Sequence, residues 1–79
     1  MKARITVTLK NGVLDPQGKA IAGALTSLEF NNIISVRQGK VFDVEIDILN
    51  KDDAQKQLKD MCERLLANTV IENYQIELG

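Results

Sequence analysis

The opening of the chain fixes more of the fold than any other stretch. Ala3, Ile5, Val7 and Leu9 alternate with Arg4, Thr6, Thr8 and Lys10. Period-2 alternation over eight residues specifies a strand buried on one face. A few residues later, Asp15 offers a side-chain oxygen to cap a helix, and Pro16 suits the first helical position, where no amide proton is required. Ala20, Ile21, Ala24, Leu25 and Leu28 then recur every three or four residues, predicting one apolar helix stripe to about Phe30. The connection Asn11-Gly12-Val13-Leu14 carries two apolar residues where solvated turns usually carry polar ones. Val13 and Leu14 need cover, from the chain's own core or from a partner.

Asn31-Asn32 ends the helix pattern. Ile33 to Arg37 and Val41 to Leu49 are rich in β-branched residues, and Gln38-Gly39 between them suits a short hairpin. In the second of these runs Phe42, Val44, Ile46 and Ile48 share one parity, and Asp43, Glu45 and Asp47 the other. Asn50 to Asp53 offers several helix caps. Ala54, Leu58, Met61, Cys62, Leu65 and Leu66 then face inward on a helix broken at Asn68-Thr69. Ile71 to Leu78 reads as a last strand with Tyr74, Ile76 and Leu78 on one parity. The order β-α-β-β-α-β predicts an α+β, ferredoxin-like sandwich over residues 1–79: a four-stranded antiparallel sheet with both helices on one face. The first strand would lie antiparallel beside the third, bringing Lys2 and Arg4 near Glu45 and Asp47.

This charge pairing matters because the sequence is electrically lopsided. Residues 1–40 carry six basic and two acidic side chains, and residues 41–79 four basic and nine acidic, for a net charge of −1. Cross-strand pairing within one domain accounts for the asymmetry, and the balance gives no reason to expect nucleic acid. RNA-binding domains of this topology stack bases on outward aromatics, whereas Phe42 has inward parity here. No apolar run reaches the ~20 residues of a membrane helix. Met1 leads straight into a strand pattern rather than a secretory leader. The single Cys62 has no internal disulfide partner and suggests a reducing compartment. A cytoplasmic protein is the expectation. At 79 residues, folding buries only about 60–65% of the chain's surface, and self-association is a common remedy.

Catalytic chemistry is scarce. The chain has no histidine, which removes His-based acid–base work, Ser-His triads and His metal sites. Cys62 shares a stripe with Met61 and Leu65 and reads as a core thiol. Asp43, Glu45 and Asp47 read as a solvated or Lys/Arg-paired face before a cation site. Gly12 and Gly18 flank a strand-to-helix turn, yet the Walker and dinucleotide spacings are missing. Asp15 and Pro16 also oppose an anion at that helix start, one by charge and the other by removing a donor. The residues thus describe a module that works through surfaces: Val13, Leu14, the Arg37-Gln38-Gly39-Lys40 tip and the outer sheet face.

Three blocks carry a family resemblance. Val7-Thr8-Leu9-Lys10 with Gly12-Val13-Leu14-Asp15-Pro16-Gln17-Gly18 is the first, Val36-Arg37-Gln38-Gly39-Lys40 the second, and Met61 to Tyr74 the third. In this order, and at this length, they resemble PurS, the small subunit of phosphoribosylformylglycinamidine synthase. The resemblance implies a ferredoxin-like fold and a homo-oligomer, dimer or tetramer, without catalysis or a cofactor of its own. It implies partners, a glutaminase subunit (PurQ) and a synthetase subunit (PurL) that uses ATP and Mg. Together they would convert formylglycinamide ribonucleotide and glutamine to the amidine in purine biosynthesis, with ammonia passing between their sites. Lys10, Val13, Leu14, Asp15, Arg37, Gly39, Lys40, Asn68 and Tyr74 are the subunit-contact candidates. Family members often carry a glycine near the end of the first helix, where this chain has Glu29, so that loop is expected to differ in detail.

Two other functions share the element order. An ACT-type amino-acid-binding module would use Asp15, Gly18 and the Asn31-Asn32-Ile33 segment at a dimer interface. An acylphosphatase-like enzyme would need an anion-binding arginine in the first loop, where Asn11, Gly12 and Val13 stand.

Overall fold

A computed structural model describes residues 1–79. Strand β1 (Lys2–Leu9) is followed by helix α1 (Pro16–Ser27), strand β2 (Gly39–Glu45), helix α2 (Lys51–Met61) with a π-helical turn at Cys62–Leu66, and strand β3 (Glu72–Leu78). The three strands form one antiparallel sheet in the order β2-β1-β3. The expected α+β class and the antiparallel placement of first and third predicted strands stand. Lys2 lies opposite Glu45, as expected, while Arg4 lies opposite Asp43 rather than near Asp47. Arg4 Nε donates to Asp43 Oδ1 at 2.9 Å, and both groups are exposed.

The predicted fourth strand is absent from the sheet. Ile33 to Arg37 pairs with nothing, and Gln38-Gly39 forms no hairpin: the chain runs through Gln38 directly into β2. The predicted covering of one sheet face by both helices is also corrected. Only α2 lies on the sheet. Ala54, Leu58 and Cys62 are fully buried against Ala3, Ile5 and Val7. α1 makes almost no contact with any other element. With the returning segment up to Gln38 it forms an arm that stretches the molecule to 49 × 24 × 14 Å. The radius of gyration is 16.1 Å, against about 12 Å for a compact chain of this length.

The physical reason lies at the crossing of the arm. The Lys10–Val13 turn closes through Val13 N–H to Lys10 O (3.1 Å), with Gly12 at φ 86° in its third position. Asp15 caps α1 as predicted, accepting from Gly18 N–H at 2.8 Å. The same carboxylate accepts from Gln38 N–H at 2.7 Å, which holds Gln38 out of a hairpin turn.

At the far end α1 closes with the paired bonds of a Schellman motif: Phe30 N–H to Leu25 O and Glu29 N–H to Thr26 O, both 3.0 Å. Glu29 takes the left-handed conformation (φ 74°) that glycine adopts without strain, at a cost of about 1–2 kcal/mol. A glycine at this position would take the same backbone without that cost.

Candidate functional site

Most of the sequence-derived contact candidates gather at the end of the sheet where β1 leaves and β2 and β3 enter. Arg37 Nη1 donates to Val13 O (2.8 Å) and Nη2 to Lys10 O (3.1 Å). The exposed guanidinium thus staples the returning arm to the first turn. Asp15 is 6% exposed. The Gln38 and Gly18 amides that it accepts, in that order of influence, hold its carboxyl below the usual carboxylate range, with help from the Arg37 charge. Val13 is half-buried in this crossing, and Leu14 remains 62% exposed. Gly39 enters β2 so close to β1 that a Cβ would stand 2.7 Å from Val7 O.

The crossing adjoins a second cluster built on β3. Lys10 N–H donates to Ile71 O (2.8 Å). Asn68 shapes the turn into β3: its carbonyl accepts from Ile71 and Glu72 N–H, and its Oδ1 from Val70 N–H. Glu72 accepts from Asn68 N–H at 2.7 Å and lies 3.7 Å from Lys40 Nζ, reaching across β1. Tyr74 donates its hydroxyl to Glu63 Oε2 at 2.7 Å. A shallow concavity of about 310 Å³ lies between the two clusters, with Asp15, Gln38, Lys40 and Glu72 among its walls. Leu14 stands apart from this polar network, since no side-chain bond places it there.

Sequence reasoning missed Glu63 and Glu72. Both lay inside the Met61–Tyr74 block, but an acidic residue in an amphipathic stretch carries no sign of its partner. The Glu63 bond, with burial behind it, pushes the Tyr74 hydroxyl up to about 12. Tyr74 is the single tyrosine, and tryptophan is absent, so ultraviolet titration reads this group alone. The phenol is expected to ionise near 12 rather than its ordinary ~10, and Glu63→Gln is expected to bring it back. Because the folded state holds the proton more tightly, the bond's stabilisation is complete below pH ~10 and is lost as pH rises from there through about 12. Ordinary ionisation near 10 in the native chain would show that the bond does not form.

Nothing here is arranged for bond making. Cys62 is buried, and that burial, with Glu63 nearby, pushes its thiol up, away from the nucleophilic thiolate. Asp43, on the acidic strand face, is committed to Arg4. No three potential metal ligands come together, and no helix is long and apolar enough to cross a membrane. The site offers backbone-anchored charges and exposed apolar side chains, which suit contact with another macromolecule.

Comparison with known proteins gives that contact surface a family. The family model PurS, phosphoribosylformylglycinamidine (FGAM) synthase, matches residues 2–79. The phosphoribosylformylglycinamidine synthase subunit PurS of Bacillus subtilis is 46% identical over 77 residues, covering 98% of this chain and 90% of that protein. The solved structure of Methanocaldococcus jannaschii PurS, one of the subunits of formylglycinamide ribonucleotide amidotransferase in the purine biosynthetic pathway, superposes with a TM-score of 0.86. It is 39% identical and covers 96% of this chain and 92% of that one. A chain in the structure of PurLQS from Thermotoga maritima superposes with a TM-score of 0.87 at 33% identity, covering 96% and 93%. The blocks from Val7 to Gly18, Val36 to Lys40 and Met61 to Tyr74 thus sit in a chain that belongs, over nearly its whole length, to the PurS family of FGAM synthase subunits in purine biosynthesis.

Proposed function

We propose that residues 1–79 act as one non-catalytic unit that holds the glutaminase (PurQ) and synthetase (PurL) subunits of FGAM synthase together in the cytoplasm, itself as a homo-oligomer. The observation that carries this reading is the likeness to a chain of the Thermotoga PurLQS structure across 96% of this sequence. The absence of a catalytic constellation supports it. ATP and Mg belong to the synthetase subunit, and this chain contributes position. A bridging unit has a physical use: ammonia released into neutral water becomes mostly ammonium, which lacks the nucleophilic lone pair. A closed path between glutaminase and synthetase keeps it neutral, and a rigid bridge helps to close that path. No observation favours the ACT-type reading.

Lys10, Val13, Leu14, Asp15, Arg37, Gly39, Lys40, Asn68 and Tyr74 form the proposed contact end. Asp15, Arg37 and Asn68 act there by fixing backbone, and Leu14 and Lys40 by presenting side chains. The test compares glutamine-dependent with ammonia-dependent amidine formation by purified PurQ and PurL, with and without this chain. Glutamine-dependent turnover is expected to require it and ammonia-dependent turnover to proceed without it. Val13→Asp with Leu14→Asp is expected to lower glutamine-dependent turnover at least tenfold, and charge reversal at Lys40 to weaken assembly. Equal turnover with and without the chain would sink the bridging reading.

A further inference from the structure

The sheet ends on one side in β3, whose outer edge no strand of this chain covers. Two bonds fix which of its backbone groups face outward: Lys10 N–H donates to Ile71 O, and Gly79 N–H to Lys2 O. Antiparallel pairs alternate between bonded and non-bonded residues. Along the unbroken register from Leu9–Glu72 to Ala3–Leu78, Asn73, Gln75 and Glu77 therefore bond to β1. Glu72, Tyr74, Ile76 and Leu78 turn their N–H groups away from the sheet. The Glu72 amide is held by Asn68 O, and no turn or loop carbonyl takes the other three. Open edges are commonly blunted by proline, lysine, a bulge or brevity. β3 is a regular strand of 7 residues with none of these, and its only charges, Glu72 and Glu77, are acidic. The two faces at this edge differ. Tyr74, Ile76 and Leu78 lie opposite Val7, Ile5 and Ala3, but α2 buries those β1 residues and leaves the three β3 side chains only half-buried. On the other face Asn73, Gln75 and Glu77 are exposed. Glu77 lies opposite Arg4, whose guanidinium is taken by Asp43, and it forms no ion pair of its own.

We propose that the β3 edge docks an extended segment of one of the two subunits this chain bridges, a segment that alternates apolar with basic residues. Its backbone bonds to the outward amides of Tyr74, Ile76 and Leu78, as in strand addition to a sheet edge. Its apolar side chains cover the open flanks of those same residues, and a basic side chain on the other face meets Glu77. A second copy of β3 does not fit this place as well, because the strand has no basic residue to offer Glu77. The inference rests on the bridging reading. It gives the bridge an attachment line that starts at the contact end, beside Asn68, and runs along β3 away from the crossing.

The test reads amide hydrogen exchange residue by residue in the full chain, alone and after mixing with purified glutaminase and synthetase subunits. Alone, Tyr74, Ile76 and Leu78 are expected to exchange fast, and Asn73, Gln75 and Glu77 slowly. In the complex the first three are expected to slow at least about tenfold. Glu77→Lys is expected to weaken capture of one subunit at least about tenfold, because it sets like charges side by side. Ile76→Pro, which removes an outward donor but no bond to β1, is expected to do the same. Tyr74 still ionising at about 12 shows that either variant keeps its fold. Slow exchange of Tyr74, Ile76 and Leu78 in the chain alone would mean that a second copy already holds the edge. Fast exchange in a complex that does form, or unchanged capture by Glu77→Lys, would mean that the subunits attach elsewhere. Each of these results overturns the edge inference and leaves the bridging reading standing. Capture of neither subunit by the parent chain would remove the bridging reading, and this inference with it.

Discussion

Gly18→Ala is expected to destabilise the chain by about 1–3 kcal/mol, although alanine is ordinarily the better helix former by about 0.5–1 kcal/mol. The sign reverses because Gly18 lies where the returning arm passes over the first turn of α1. A Cβ there would collide with the Val36 carbonyl oxygen and stand 2.8 Å from Asp15 Oδ2. Val36 is backbone, and the next residues are tied by Asp15 and Arg37, so relief requires the whole crossing to open. Gly23 in the same helix meets nothing within 4 Å. Gly23→Ala is therefore expected to follow ordinary propensity and raise stability. Thermal unfolding of the two variants at one protein concentration checks both. Gly18→Ala as stable as the parent would mean that the arm does not cross α1 where it is described.

Gly18 also marks where sequence reasoning stopped. The strand Lys2–Leu9, the Asp15 cap, the Pro16 start and the parity of Phe42 and Val44 all follow from local rules, because each residue answers to neighbours within a few positions. Leu58 and Cys62 follow from the helix stripe and are buried, but Leu65 of the same expected stripe is 83% exposed, because the chain winds into a π-helical turn at Cys62–Leu66 and the 3.6-residue spacing no longer holds. Ile33–Arg37 reads as a strand from its β-branched residues yet joins no sheet, because strand propensity does not supply a pairing partner. Its failure to fold back depends on Asp15 accepting from Gln38, a contact 23 residues away in sequence. The pairs Tyr74–Glu63 and Lys40–Glu72 were likewise illegible, since the sheet register that aligns them is a tertiary fact. The family resemblance points to several residues that meet at the crossing, without revealing that Asp15 and Arg37 spend their charges on backbone groups of their own chain.

Leu58→Ala is expected to be the most damaging single truncation. Leu58 is fully buried on α2, the one helix that covers the sheet, against Ile5 and Val7, which are also fully buried. Truncating a leucine in such a site costs about 2–5 kcal/mol, the lost transfer energy plus the cavity left behind. Only ten of 79 residues are buried, so few other contacts absorb the loss. The melting temperature is expected to fall by more than about 10 °C, with glutamine-dependent turnover lost as the chain unfolds. Ile34→Asp provides the contrast. Ile34 is almost wholly exposed in the single chain, so folding of one protomer does not depend on it. Leu58→Ala is thus expected to melt earlier at every protein concentration, by a nearly constant interval. Ile34→Asp is expected to melt within a degree or two of the parent, as substitutions of exposed side chains usually do. A Leu58→Ala variant within a degree or two of the parent would show that α2 does not cover the sheet as described.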